Sequence, residues 1–288
     1  PMNLRNAMGA GLIPPAAEGG DFGVVYMDAN GYPDMCGHAT IGVATTLFEL
    51  GLVGPQDRAF TGSHEIALKT PAGLVSLRAT LKDGRCEAVA FSTPCAYHLG
   101  TVDVPLPRGG TASVEVAYGG QWYAFLPAAS VGLSVEPDGI DALIAAAAEV
   151  LAALAERLRL TDPRTGTVPA VGNIVWTDRP RNAASARNVP VSSSGSFDRS
   201  PCGTATCARM AALVASGDLA IGNGFVNEGV MGTLYRGRVL APYAEGGVTG
   251  IVPEVEGSAW ITARSQLRVD ARDPLRDGYL IGGGAAVV

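Results

Sequence analysis

Apolar residues occur along this chain in many short runs rather than in a few long ones. Runs of four to eight mostly apolar residues, each bounded by Gly, Pro, Asn or Asp, recur from one end to the other. Such runs are typical of β-strands that alternate with tight turns. The clearest predicted strands are 22–27, 66–69, 74–81, 88–91, 114–118, 122–126, 173–176, 237–240 and 259–262.

Only three segments have a convincing helical pattern. The first begins near Cys36 and ends at Gly51, and the second covers roughly 141–160, where Ala and Leu dominate. The second segment has Asp141 early and Arg157 late, as the helix dipole favours. The third covers 202–217. Many short strands with few helices predict an α+β chain built mainly on antiparallel sheet.

Composition narrows the class of protein. The 288 residues are 47% hydrophobic and 17% charged, with a net charge of −6, which predicts a folded chain with a sizeable core. The acidic balance and the absence of a long Lys/Arg run argue against a nucleic-acid or anionic-membrane partner. No stretch supplies the ~20 apolar residues of a spanning helix. Because the chain begins at Pro1 rather than Met, we expect it to start inside a longer gene product.

The number and spacing of the cysteines indicate in which cellular compartment the protein is found. Their number, five, is odd and their spacing irregular, so they do not form a secreted disulfide framework. We therefore expect a cytoplasmic protein.

Two of the predicted helices begin with copies of one pattern. Six positions agree at identical offsets, and the copies lie 166 residues apart. The agreement predicts a duplicated unit, hence two pseudo-symmetric domains that each present a cysteine at a strand-to-helix turn. The copies are Cys36-Gly37-His38-Ala39-Thr40 with Leu47 and Gly51, and Cys202-Gly203-Thr204-Ala205-Thr206 with Leu213 and Gly217.

A cysteine at the start of a helix is suited to acid/base work. The unpaired N–H groups and the positive end of the dipole stabilise its thiolate. Gly37 and Gly203 leave those N–H groups open to a ligand, and a helix N-terminus is a ready site for a carboxylate. Two thiols on opposite sides of a carbon next to a carboxylate can invert it. If N–H donors stabilise the enolate-like intermediate, the reaction requires no cofactor.

Other interpretations of these residues remain open. Cys86, Cys95 and Cys207 have no matching surroundings and are interpreted as small buried hydrophobes. Zinc is a rival for Cys36 and His38, but no C-x-x-C pair exists and only two further histidines remain, so we expect no metal. Asp198 is either a partner of the thiols or a turn aspartate. His38 is either a proton partner at neutral pH or a packed first-turn residue.

The two cysteine segments resemble the signatures of the proline racemase family. They read Met35-Cys36-Gly37-His38-Ala39-Thr40-Ile41-Gly42 and Asp198-Arg199-Ser200-Pro201-Cys202-Gly203-Thr204-Ala205-Thr206. The resemblance covers nearly the whole chain. It implies a diaminopimelate-epimerase-like fold with two domains, each a barrel-like, mostly antiparallel sheet around a central helix. We predict the first domain at 1–118 plus 269–288 and the second at 119–268.

The same resemblance implies an activity. It implies cofactor-free racemisation or epimerisation of a small imino or amino acid, with Cys36 and Cys202 as the acid/base residues. His38 and Asp198 would support them. Gly37, His38, Ala39, Gly203 and Thr204 would hold the carboxylate. Nothing in the resemblance implies a metal or a macromolecular partner, and a homodimer is left open.

The departures from the family pattern bear on the substrate. Family members begin with a strand region upstream of Pro1, which we expect to be missing from the first domain here. In proline racemases, two phenylalanine side chains form the wall of the substrate pocket. The matching positions in this chain are Met8 and Ser192. Ser192 suits a ring hydroxyl, so the prediction is a hydroxyproline 2-epimerase rather than an enzyme for plain proline.

Two alternatives keep the same fold. A hydroxyproline dehydratase would eliminate water after one cysteine removes the α-proton, although its branch has threonine in place of the second cysteine. A non-catalytic homologue would only bind a small acid. The reaction product separates these alternatives, because inversion conserves mass and elimination does not.

Overall fold

The computed structural model describes residues 8–14, 20–27, 31–57, 59–107, 109–266 and 268–276, which form the predicted α+β fold. Three α-helices accompany thirteen strands in this part of the chain. The helices are α1 (Gly37–Glu49), α2 (Ile140–Arg157) and α3 (Gly203–Ser216). The strands are β1 (Gly9–Ile13), β2 (Phe22–Met27), β3 (Gly62–Thr70), β4 (Gly73–Lys82), β5 (Arg85–Ser92), β6 (Tyr97–Pro105), β7 (Thr111–Tyr118), β8 (Trp122–Pro127), β9 (Asn173–Asp178), β10 (Ala186–Ser192), β11 (Gly224–Glu228), β12 (Leu234–Glu245) and β13 (Val248–Gly257).

The strands follow one another in a single hydrogen-bonded order. That order is β1-β2-β3-β4-β5-β13-β12-β11-β10-β9-β8-β7-β6. Neighbours are antiparallel except at three places, β2 with β3, β8 with β9, and β10 with β11. The prediction of a mainly antiparallel sheet is therefore confirmed.

The duplication predicted from the cysteine segments is visible in the strand pairing. We call β1-β2-α1-β3-β4-β5 (residues 9–92) the first repeat and β9-β10-α3-β11-β12-β13 (residues 173–257) the second repeat. In each, the first two strands are antiparallel, the strands on either side of the helix are parallel, and the last two pairs are antiparallel. The segment β6-β7-β8-α2 lies between the repeats in the chain.

The repeats meet through an antiparallel pair formed by their last strands, β5 and β13. Ala90 pairs with Glu256, and these two residues are separated by the same 166 positions as Cys36 and Cys202. A pair whose members are each other's counterparts lies on the axis that relates the copies. The two repeats are therefore arranged about a pseudo-two-fold axis at this pair.

Each helix buries its apolar residues against strands. Helix α1 packs on β5 and supplies Ile41, Leu47 and Phe48 to a cluster with residues of β3, β4, β12 and β13. Helix α2 packs on β6, β9 and β10, where Leu143 and Leu154 join a second cluster. Helix α3 packs on β13, β6 and β7. The N-termini of α1 and α3 meet at Gly37 and Gly203.

Most predicted elements are confirmed, but the strand predicted at 259–262 is wrong. Strand β13 ends at Gly257, residues 258–266 have no regular structure, and Trp260 is 77% exposed. The Ser258 hydroxyl donates to the Glu87 carbonyl of β5. This carbonyl is the acceptor that the backbone of β13 would use if the strand continued. Helix α2 ends at Arg157, before the predicted end, because Leu158 adopts an extended conformation.

Some predictions are not tested by the fold. The predicted boundary at 118/119 falls between β7 and β8, and the division into domains stays a prediction. Residues 1–7 and 277–288 of the predicted first domain lie outside the described residues. None of the helices in the described ranges combines the length and the continuous apolar character of a membrane-spanning helix.

Candidate active site

Cys36 and Cys202 occupy the residue just before the first turn of α1 and α3. The amides of Thr40 and Thr206 donate to the carbonyls of these cysteines at 2.9 and 3.0 Å, which closes the first turn of each helix. The amides before them have no acceptor within their helix. Each thiol therefore lies beside a group of N–H donors at the positive end of a helix dipole.

Glycine at the second position of each pattern permits the two helix starts to touch. A Cβ on Gly37 would lie 3.2 Å from the Gly203 Cα, and one on Gly203 would lie 3.3 Å from the Gly37 Cα. Either Cβ would also lie 2.7 Å from Cζ of Phe91. Sequence reasoning assigned these glycines to ligand access. The structure adds that they are required for the close approach of the helices over the Phe91 ring.

The two thiols face one cavity of about 540 Å³. Cys36 is 7% exposed and Cys202 is 6% exposed. Of the predicted site residues, Ala39 is not part of the lining, because it lies farther along α1. The predicted residues that line the cavity are Met8, Cys36, Gly37, His38, Ser192, Asp198, Cys202, Gly203 and Thr204.

Cys36 has an imidazole partner. Its Sγ lies 3.6 Å from both ring nitrogens of His38, and His38 Nδ1 lies 3.8 Å from Asp198 Oδ1. Burial opposes a positive charge on this ring, but the Cys36 hydrogen bond and the negative charges of Asp198 and Cys36 outweigh it and raise the pKa of His38 to about 9. At neutral pH, His38 is an imidazolium between a thiol group and a carboxylate. His38 therefore places a positive charge next to the Cys36 sulfur.

Cys202 has hydroxyl partners instead. Its Sγ lies 3.6 Å from the Tyr123 hydroxyl and 3.9 Å from Thr204 Oγ1, and those two oxygens are 2.6 Å apart. Burial raises the pKa of the Cys202 thiol well above its usual range, and the negative charge of Asp198 adds to the effect. Hydrogen bonds from Tyr123 and from the Ala205 amide act in the opposite direction.

The backbone at Cys202 is unusual for a residue with a side chain. Its φ of 64° lies in the left-handed region, whereas the φ of Cys36 is −143°. Such a conformation costs on the order of 1–3 kcal/mol and persists only where its surroundings hold it. Thr206 Oγ1 donates to the Cys202 carbonyl at 2.6 Å, and the buried Asn227 amide donates to Thr206 Oγ1 at 2.8 Å. This chain of hydrogen bonds holds the turn.

The cavity wall at Ser192 is a cluster of hydroxyl groups. Ser192 Oγ lies 2.8 Å from Ser194 Oγ and 2.6 Å from Ser196 Oγ. These serines form the turn that follows β10, and all three line the cavity. Met8, the other predicted wall residue, lines the same cavity.

The remaining cysteines lie elsewhere. Cys86, Cys95 and Cys207 are buried and do not line this cavity. No group of three or more His, Cys, Asp or Glu side chains suited to a metal ion is found in the described ranges.

Comparison with known proteins identifies the family. The family model described as proline racemase matches residues 3–280. The chain belongs to the proline racemase family. Proline racemase of Clostridioides difficile is 32% identical over 283 residues, covering 98% of this chain and 83% of the relative. The 4-hydroxyproline 2-epimerase of Streptosporangium roseum is 36% identical over 274 residues, covering 95% of this chain and 81% of the relative.

A solved structure agrees with this assignment. A hydroxyproline epimerase from Agrobacterium vitis with bound trans-4-hydroxy-L-proline superposes with a TM-score of 0.81 at 25% identity, covering 94% of this chain and 77% of that chain. The predicted fold class is therefore confirmed. The protein is an isomerase of the racemase and epimerase type.

Sequence reasoning did not single out several residues that line the cavity of this family member. Tyr123 and Gln121 come from the β7–β8 hairpin, and Phe197 follows the serine turn. Tyr123 sits in an apolar run and has the pattern of an ordinary core residue. Gln121 and Phe197 carry no motif, so only the fold brings them to the site.

Proposed function

We propose that this protein inverts the α-carbon of an imino acid by a cofactor-independent, two-cysteine mechanism, and that its substrate is 4-hydroxyproline. One observation carries the mechanism. Two cysteines, each at the N-terminus of a helix, face one cavity from the two repeats, and the helix starts touch at Gly37 and Gly203.

The substrate carboxylate is bound by the two helix N-termini. The first residues of α1 and α3 line the cavity, so the free amides at these N-termini are directed toward it. Both helix dipoles favour an anion there. Those donors also stabilise the negative charge that moves onto the carboxylate when the α-proton leaves. Gly37, His38, Gly203 and Thr204 supply amides next to the thiols. Ala39 contributes through its backbone alone.

The proton transfers use both thiols in turn. Cys36, as thiolate beside the His38 imidazolium, takes the α-proton, and the C–H electron pair moves into the carboxylate. Cys202, as thiol, then gives its proton to the opposite face of the carbon and becomes a thiolate. In the reverse direction Cys202 is the base and Cys36 the acid. Because the two thiols act on opposite faces of the α-carbon, the reaction inverts the carbon rather than only exchanging its proton with solvent.

The serine cluster supports a hydroxylated substrate. A buried substrate hydroxyl without a partner costs about 1–3 kcal/mol, and hydroxyls of Ser192, Ser194 and Ser196 offer partners. Ser192 Oγ already has close neighbours in Ser194 and Ser196, so the cluster rather than Ser192 alone would receive the ring hydroxyl. The Streptosporangium roseum relative and the Agrobacterium vitis structure reported above carry hydroxyproline in their names.

The test of the mechanism follows the α-proton. The protein is incubated in D₂O with proline, trans-4-hydroxyproline and a panel of amino acids, and NMR records loss of the α-proton and formation of the other isomer. We expect inversion with deuterium incorporated and no loss of water. Loss of water would instead support the dehydratase, and binding without any exchange would support a non-catalytic small-acid binder.

The test of the substrate compares kcat/KM for trans-4-hydroxyproline and proline. We expect the wild type to prefer hydroxyproline and Ser192→Phe to move the preference toward proline or to close the pocket. Ser192→Ala, which keeps the space but removes one hydroxyl, is the matched variant. A wild type that prefers proline by tenfold or more would contradict the role of the serine cluster without affecting the mechanism.

A further inference from the structure

The hydroxyl group of Tyr123 is placed at the second thiol by two independent contacts. It lies 3.6 Å from Cys202 Sγ and 2.6 Å from Thr204 Oγ1. The side chain is 3% exposed, and what remains accessible faces the active-site cavity. Tyr123 belongs to β8, in the segment between the repeats, and among the described residues no tyrosine hydroxyl is hydrogen-bonded to Cys36 Sγ.

The residue two positions after each cysteine explains why such a group is needed. His38 and Thr204 occupy the same offset in the two patterns. His38 provides a cation for a thiolate at Cys36, whereas Thr204 provides only a neutral hydroxyl. In the half of the cycle in which Cys202 is deprotonated, its sulfur is buried beside the Asp198 carboxylate, which disfavours negative charge.

We propose that Tyr123 is a catalytic residue that donates a hydrogen bond to the Cys202 thiolate, with Thr204 accepting or orienting that hydroxyl when Cys202 is a thiol. The proposal rests on the proposed two-cysteine function. Burial and the charge of Cys202 raise the pKa of Tyr123 well above its usual range, so the phenol stays protonated and able to donate.

The step transfers no proton to or from Tyr123. When Cys202 acts as base, the α-C–H bond breaks, an S–H bond forms, and the electron pair moves to the carboxylate. The Tyr123 hydroxyl hydrogen then turns from the sulfur to Thr204 Oγ1. When Cys202 acts as acid, the S–H bond breaks, the C–H bond forms, and the hydroxyl turns back.

The first test compares the two C2 epimers of the substrate separately. Tyr123→Phe removes only the hydroxyl, and initial α-proton loss into D₂O is measured from each pure epimer. We expect exchange to fall by about tenfold, the value of a hydrogen bond to a charged group, for the epimer whose α-proton faces Cys202. Cys202→Ser identifies that epimer, since it loses the same exchange. Equal falls for both epimers would overturn the proposal.

Tyr97→Phe is the matched control. The Tyr97 hydroxyl is also buried and donates to Asp162 at 2.8 Å, but Tyr97 does not line the active-site cavity. Loss of the Tyr97 hydroxyl should change exchange from both epimers alike, through its effect on stability.

The second test needs no substrate. Iodoacetamide alkylation at a fixed neutral pH is followed by mass spectrometry of the Cys36 and Cys202 peptides. Tyr123→Phe should slow alkylation of Cys202 by about tenfold and leave Cys36 unchanged, because only the Cys202 thiolate loses a donor. An unchanged Cys202 rate would overturn the proposal. If the wild type inverts no substrate, the proposed function fails, while this measurement still decides the role of Tyr123 at the sulfur.

Discussion

The Cys36 turn and the Cys202 turn are copies in backbone position and opposites in chemical surroundings. Each cysteine directly precedes a helix and is followed by a glycine, and these two glycines contact each other. Yet Cys36 is extended and lies beside a charged imidazole, while Cys202 has a positive φ and lies beside hydroxyls and a carboxylate.

This difference shows how a duplicated fold can give two equivalent cysteines different chemical surroundings. The repeats place two thiols at positions related by a pseudo-two-fold axis, and both thiols face one cavity. The surroundings of the two thiols differ in charge, because the cationic His38 lies beside Cys36, whereas burial and Asp198 raise the pKa of the Cys202 thiol well above its usual range. The mechanism proposed above uses this difference, since it assigns the base to Cys36 and the acid to Cys202 in one direction of the reaction.

The largest expected effect comes from removing either thiol. Cys36→Ser and Cys202→Ser should each lower inversion by about 10²–10⁴-fold, because a serine hydroxyl is too weakly acidic to act as acid or base. Chiral chromatography of the product measures the loss. Cys86→Ser, at a buried cysteine away from the cavity, is the control and should keep most activity. Full activity in either active-site variant would rule out the two-base mechanism.

The glycines that join the turns should be equally sensitive on both sides. Gly37→Ala and Gly203→Ala each place a Cβ 2.7 Å from Cζ of Phe91, and we expect a loss of about 1–3 kcal/mol in the free energy of unfolding. Urea titration measures it. Gly42→Ala, in the same helix α1 with nothing within 4 Å of the new Cβ, should instead stabilise by about 0.5–1 kcal/mol. A neutral result at Gly37 or Gly203 would contradict the contact.

The threonines one turn into each helix should separate stability from activity. Thr40 and Thr206 both donate to the carbonyl of their cysteine, at 2.8 and 2.6 Å. Replacing either with valine should cost about 1–3 kcal/mol in the free energy of unfolding. Only Thr206→Val also frees the left-handed turn at Cys202, so kcat should fall further in that variant than in Thr40→Val. Equal kcat values would show that this backbone conformation has no role in turnover.

The smallest expected effect is the pH dependence contributed by His38. Because its pKa is raised from 6.5 to about 9 in the folded protein, the protonated ring stabilises the fold fully below pH 6.5, and this contribution is lost as the pH rises through 9. A third of the side chain is exposed, so solvent screening reduces the effect to on the order of 1 kcal/mol.

Urea unfolding at pH 6 and pH 9.5 measures this contribution. The stability difference between wild type and His38→Gln should shrink at the higher pH. A constant difference would show that His38 is not held as a cation by Cys36 and Asp198.

The fold could be predicted from local patterns only where those patterns are strong. The helices at 36–51 and 202–217 are confirmed to within a residue or two, and so is strand β2. Strands β1, β6, β10, β11 and β13 are not among the predicted strands, because glycine and polar residues interrupt their apolar runs. The run at 259–262 has the composition of a strand, but β13 ends at Gly257, where the Ser258 side chain rather than the backbone bonds to β5.

By itself, the sequence determined the duplication, the two cysteines and the family, because each is encoded in residues a few positions apart. The cysteine pattern recurs at one offset, and that offset alone predicts the pseudo-symmetry. The tertiary structure decided what surrounds each thiol. Tyr123 and Asn227 reach the Cys202 turn from strands β8 and β11, and no local pattern marks either residue. Which sulfur carries charge depends on burial and on neighbours in space, and these exist only once the chain has folded.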